Sequence, residues 1–69
     1  MKYVVFSYED DKIKLIIKKD SVGYYLFAFK DPKSALPTYD YFFETLDETF
    51  EVAEYKFGVS KHQWKPHTP

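Results

Sequence analysis

Residues 3–29 read YVVFSYEDDKIKLIIKKDSVGYYLFAF, three runs of alternating side chains separated by two short polar turns. Alternation with a period of two is the pattern of a half-buried strand. In the first run Val4, Phe6 and Tyr8 point one way, and Tyr3, Val5, Ser7 and Glu9 point the other. In the second, residues 12–19, Ile13, Leu15 and Ile17 share a face while Lys12, Lys14, Ile16 and Lys18 share its reverse. Taken as a two-residue hairpin loop, Asp10-Asp11 sets Tyr8 beside Ile13, Phe6 beside Leu15 and Val4 beside Ile17, so the two apolar faces coincide. Asp20-Ser21-Val22-Gly23 has the chemistry of a type I turn closed by a left-handed glycine. That three-residue connection brings Phe27 beside Ile17 and Phe29 beside Leu15. The third strand, 24–30, is therefore expected to add Tyr25, Phe27 and Phe29 to the core and to show Tyr24, Leu26, Ala28 and Lys30 on the other face.

Downstream the punctuation changes. Residues 31–37 carry two prolines and a serine and read as a surface loop. Residues 38–44 alternate again, with Tyr39, Tyr41 and Phe43 opposed to Asp40, Phe42 and Glu44, a fourth strand expected to pair antiparallel. Thr45-Leu46-Asp47-Glu48 fits the capping box that opens a helix. Leu46, Phe50, Ala53 and Phe57 then recur at helical spacing, and Gly58 with Val59 supplies a left-handed ending. Ser60 to Gln63 repeats the cap pattern over one turn, which returns Trp64 toward the helix end or the sheet. The expected architecture is α+β: a four-stranded, mainly antiparallel sheet in the order ββββα, with one C-terminal helix on one face. Residues 1–64 form one small domain in this reading, and 65–69 a flexible tail.

Composition explains why the chain is built of rings. A 69-residue chain with no Cys cannot use disulfides or thiolate metal sites to offset its small core. Seven Phe, seven Tyr and one Trp are the remaining device, since each can bury roughly 150–250 Å². Absence of Cys also suits a reducing compartment, and the opening MKYVVFSYEDD lacks the long apolar core of a secretory signal, so a cytoplasmic location is expected. No run approaches the roughly 18 apolar residues of a membrane span. The net charge is −1, yet residues 1–35 hold seven Lys against five acids, and residues 36–69 three Lys against six. All ten basic residues are Lys, and the missing Arg counts against sequence-specific reading of nucleic acid.

Residues able to do chemistry are few. His62 and His67 straddle Pro66 near the chain end and read as solvated, with no Cys or carboxylate between them to complete a metal site. Glu9, Asp10 and Asp11 lack the alternating oxygens and the glycine of a calcium loop. The acids from Glu44 to Glu54 suit the positive end of a helix dipole and its solvent side. Neither glycine belongs to a phosphate-cradling loop. No catalytic residue, metal or cofactor is expected.

What remains is the sheet face that one helix leaves uncovered. On the strand assignments above it displays Tyr3, Val5, Ile16, Tyr24, Leu26 and Phe42, ringed by Lys12, Lys14, Lys18 and Lys30. Contiguous exposed apolar surface of this kind marks an interaction site, although Val, Ile and Tyr also occur there simply as good strand formers. The expected function is a non-enzymatic protein-binding module, an inhibitor, immunity-like or accessory protein, that docks another protein or a second copy of itself through Tyr3, Lys14, Ile16, Lys18, Tyr24 and Leu26 or through an exposed strand edge. The alternative is a small nucleic-acid-binding or antitoxin-like regulator using the same Tyr and Lys side chains.

The opening MKY and the segment ETLDETFEVAEYKFG, residues 44–58, resemble small HicB-type antitoxin domains, whose helix opens with a comparable acidic-Thr-Leu-acidic cap. The sequence departs from that family in lacking a glycine-rich segment before the helix and a DNA-binding extension. No residue role is carried over from the resemblance.

Overall fold

The structure is a computed structural model describing residues 2–67. Strands β1 (Tyr3–Glu9), β2 (Lys14–Asp20), β3 (Gly23–Phe29) and β4 (Tyr39–Phe43) precede helix α1 (Leu46–Phe57), a single 3-10 turn (Lys61–Gln63) and a two-residue strand β5 (Lys65–Pro66). They form one antiparallel sheet in the order β4-β3-β2-β1-β5, with α1 packed on one face. The α+β architecture is the expected one, with a fifth strand. Residues 65–67, expected as tail, are tied to β1: Phe6 pairs with Pro66, Ser7 with Lys65, and the His67 amide donates to the Val5 carbonyl at 2.8 Å. The rest of that expected tail, 68–69, lies outside the described residues.

The first hairpin is two residues out of the expected register. Tyr8 faces Leu15 and Phe6 faces Ile17, because the loop is four residues long, Asp10 to Ile13. The Asp10 amide donates to the Ile13 carbonyl at 3.0 Å to close this wider turn, and the Asp10 carboxylate organises it: its Oδ1 accepts from the amides of Lys12 and Ile13, each at 2.8 Å, and its Oδ2 from the Tyr8 hydroxyl at 2.8 Å. A slip of two residues leaves every side chain on its face, so Phe6, Tyr8, Leu15 and Ile17 still look toward the helix. Nearer the N-terminus the register breaks between Val4 and Phe6. Val5 is the extra residue of a bulge, which turns it toward the core beside Phe6 and leaves Val4 opposite Lys18, reversing the expected sides of both valines.

The second hairpin differs by one residue, and that reverses a whole strand. Asp20 pairs with Gly23 across a two-residue loop, with the Val22 amide bonded to Asp20 Oδ1 at 2.9 Å. Leu26 therefore stands beside Ile17 and Ala28 beside Leu15, both fully buried. Tyr25, Phe27 and Phe29, expected inside, lie on the opposite face. The helix side already houses Phe6, Tyr8, Tyr41, Phe43, Phe50, Phe57 and Trp64, so a further row of three rings would overpack it. Gly23 is not the left-handed residue of the turn. It is needed because a Cβ there would stand 2.5 Å from the Phe43 carbonyl oxygen and 2.6 Å from the Phe42 ring.

The helix starts and stops where its sequence predicts, with one half of the expected capping box, the Thr45 hydroxyl, in place. Thr45 Oγ1 accepts from the Glu48 amide at 3.2 Å, and Gly58, at φ 70°, donates its amide to Glu54 at 2.9 Å. Phe50 and Ala53 are buried, with Leu46 and Phe57 packed against them. Thr49 is also fully buried, its hydroxyl donating to the Thr45 carbonyl at 2.9 Å. Trp64 closes the β1 side of the core, 5.8 Å from Phe50 and 6.5 Å from Tyr8 between ring centroids. On β4, Tyr39, Tyr41 and Phe43 stack as a ladder with 6.3 Å between successive rings, on the helix side.

Candidate functional site: the open face of the sheet

Because α1 and Trp64 both pack on the side of Leu15, Ile17, Leu26 and Ala28, the reverse of the sheet is unroofed. Register fixes what it shows. Pairing sets Ile16 beside Phe27, Lys18 beside Tyr25, Lys14 beside Phe29, and Phe42 beside Tyr25. Tyr25 and Phe27, two apart on one strand, stack with their centroids 6.1 Å apart and planes inclined by 11°, and Phe42 meets Tyr25 edge-on at 5.0 Å. Lysine ammonium groups stand over these rings: Lys2 is 4.3 Å from the Tyr25 centroid, Lys14 4.4 Å from Phe29, and Lys18 5.6 Å from Phe27. Each such contact is worth about 0.5–1 kcal/mol at an exposed site. Phe42, at 45% exposure, is the most open ring of the set, whereas Phe29 is buried. Asp40 pairs with Phe27 from the β4 side, and Glu9 with Lys14 from the β1 side. The face is an apolar strip with three ammonium groups over its rings and two carboxylates toward its edges.

The residues expected to make this surface divide. Lys14, Ile16 and Lys18 stand together on it. Tyr24 and Leu26 do not: Leu26 is at the centre of the core, and Tyr24 packs against that core with Lys19 Nζ 4.7 Å from its ring. Tyr3 pairs with Lys19, which shares the side of β2 that holds Ile17, so it too belongs to the helix side, at its margin. Val5 is core and Val4 takes its place. Lys12 lies in the β1–β2 turn, and Lys30 approaches Tyr39 at 5.3 Å on the helix side. Tyr25, Phe27 and Phe29 were missed. The size of Ala28 carries a signal for them, since a small residue between aromatics fits where a helix comes close.

A separate groove of about 440 Å³ lies on the helix side, between β4 and the end of α1, lined by Ile13, Tyr39, Tyr41 and Phe57 with Lys30 and Lys56. Lys56 Nζ stands 5.7 Å from the Tyr41 ring. On the β1 side, Ser7 Oγ and His67 Nε2 are 2.6 Å apart, so His67 is engaged rather than free in solvent. Among the described residues no carboxylate is hydrogen-bonded to its second nitrogen, and no three His, Cys, Asp or Glu side chains gather as a metal site. Two groups at the first hairpin have shifted titration. The amides of Lys12 and Ile13, then the Tyr8 hydroxyl, hold the Asp10 carboxyl below its usual value, and donation to Asp10 raises Tyr8. Both are explained by the turn they build. No helix among the described residues is long and apolar enough to cross a membrane.

Compared with known protein families, curated proteins and solved structures, the chain matches none of them. Nothing in these comparisons extends the likeness of residues 44–58 to HicB-type domains.

Proposed function

We propose that this chain is a non-enzymatic protein-binding module that docks an acidic-rimmed apolar surface of another protein on the open face of its sheet. The observation that carries this reading is the strip of Ile16, Tyr25, Phe27 and Phe42 left unroofed under Lys2, Lys14 and Lys18. Removing apolar surface from water at roughly 25 cal/mol per Å² favours association, and the lysines steer a partner of opposite charge. With no Cys in the sequence, a reducing compartment suits the chain, and we place it in the cytoplasm. Single-stranded nucleic acid is the weaker reading. Base stacking needs an open ring face, whereas Tyr25 and Phe27 face one another and each has an ammonium group beside it.

The test is capture from native extract by the wild-type chain, by Ile16→Lys, by Phe27→Lys and by Tyr55→Lys, the last altering a side chain 89% exposed on the helix. A protein retained by the wild type and Tyr55→Lys, lost by both face variants, and little affected by salt is the expected result. Capture unchanged in the face variants would overturn the reading. Nuclease-sensitive capture that weakens steeply as salt rises would replace it with nucleic acid.

A further inference from the structure

The two edges of the sheet are guarded very differently. Sheets blunt a free edge with Lys, Pro, bulges or very short strands, because its unpaired N–H and C=O groups otherwise accept another strand. On one side β1 carries the Val5 bulge and is partly covered by β5, two residues long and ending in Pro66. On the other, β4 pairs with β3 through five consecutive residues without a register shift, and its sequence, YDYFF, contains neither Lys nor Pro and a single charge, Asp40. Two of its own rings are exposed, Tyr39 at 40% and Phe42 at 45%.

We propose that the free edge of β4 takes an extended segment of a partner protein as a sixth strand, with acidic side chains on the helix side and apolar ones on the open side. This rests on the protein-binding reading above and adds the partner's conformation and charge pattern. An added strand lies roughly 4.8 Å beyond β4, and its residues alternate between the two faces. Those on the helix side come beside Tyr39 and Tyr41, whose rings have Lys30 at 5.3 Å and Lys56 at 5.7 Å, and the groove behind these rings is lined by no acid. Those on the open side meet Phe42, with the Asp40 carboxylate two residues along on the same face, and continue the apolar strip past that ring. A second copy of this chain fits less well. A two-fold pairing of β4 with itself about Tyr41 would set the two Lys56 side chains, each over its own Tyr41, against one another.

The probe is a blocked seven-residue peptide alternating Glu with Phe, titrated into the labelled protein and followed by amide resonances. Its controls are the same peptide with Lys for Glu, and one N-methylated at alternate residues. The expected result is shifts over residues 39–43, binding at least tenfold weaker for both controls, and reversal of the Glu-over-Lys preference in Lys30→Glu/Lys56→Glu. Both lysines are exposed, so the fold should survive the exchange. Shifts confined to Ile16 and Phe27 would overturn the edge proposal while leaving the docking face standing. No shifts at all would also overturn it, with the docking face still judged by capture. A mass in solution twice that of the chain, with 39–43 protected, would overturn it in favour of self-pairing.

Discussion

Gly23→Ala is the substitution whose outcome the register most directly determines. Where a glycine's conformation is open to alanine, the exchange stabilises a protein by about 0.4–1 kcal/mol through the unfolded chain. Gly23 has an ordinary negative-φ strand backbone, so that gain applies here. Against it stands collision: the added methyl lies 2.5 Å from Phe43 O, 2.6 Å from Phe42 Cζ and 2.9 Å from Phe42 Cε1, roughly 1 Å inside ordinary contact. Such overpacking costs about 1–3 kcal/mol. The strain wins, leaving a net loss of about 1–2 kcal/mol and a fall in Tm on the order of 10 °C for a domain this small. The Phe42 ring, half open to solvent, can swing aside, but the Phe43 carbonyl can move only with β4. Phe42→Ala in the same chain should therefore recover part of the loss and not all of it. Urea unfolding of the two single variants and the double variant measures that coupling directly. If Gly23→Ala is neutral or stabilising, the close packing of β4 against the β2–β3 turn is wrong.

Other expectations follow from the local chemistry. Thr45→Ala removes the helix cap and should cost about 1 kcal/mol in chemical unfolding, with Thr45→Ser near neutral. Ionised Asp10 stabilises the first hairpin from above its unfolded value, about pH 4, and that contribution is lost as pH falls through its depressed folded value. The Tm difference between wild type and Asp10→Asn should accordingly shrink on acidification. Tyr8, raised in the fold, has the opposite sense: its contribution is complete below about pH 10 and lost as pH rises through the folded value, a step that Tyr8→Phe should abolish. Trp64 Nε1 is buried without a hydrogen-bond partner among the described residues. Trp64→Phe, which deletes that donor, should then lose far less stability in thermal unfolding than Trp64→Ala, expected at about 3–5 kcal/mol.

Local signals were readable wherever a few neighbouring residues determine the outcome. The Thr45 cap, the stripe from Leu46 to Phe57 and the Gly58 ending depend on contacts within one or two turns, and all three occur as the spacing predicts. The faces of β2 and β4 were readable too, because Ile13, Leu15 and Ile17 are opposed by Lys12, Lys14 and Lys18, and Tyr39 and Tyr41 by Asp40. β3 was different. Tyr24-Tyr25-Leu26-Phe27-Ala28-Phe29 is apolar on both sides, so its period of two marks a strand without saying which side is inside. The choice fell to the loop length at Asp20–Gly23, and one residue there exchanged Leu26 and Ala28 for Phe27 and Phe29.

The amino-acid sequence by itself determined an antiparallel sheet with one capped helix and a side of that sheet left without a roof, since alternation and capping act over short distances. Which rings occupy the open side, that β4 is an outer strand, and that Lys65–Pro66 returns to β1 were decided by tertiary structure. The physical reason is volume and register together: only when α1 closes on the sheet does the space beneath it admit Leu26 and Ala28 and turn Tyr25 and Phe27 outward.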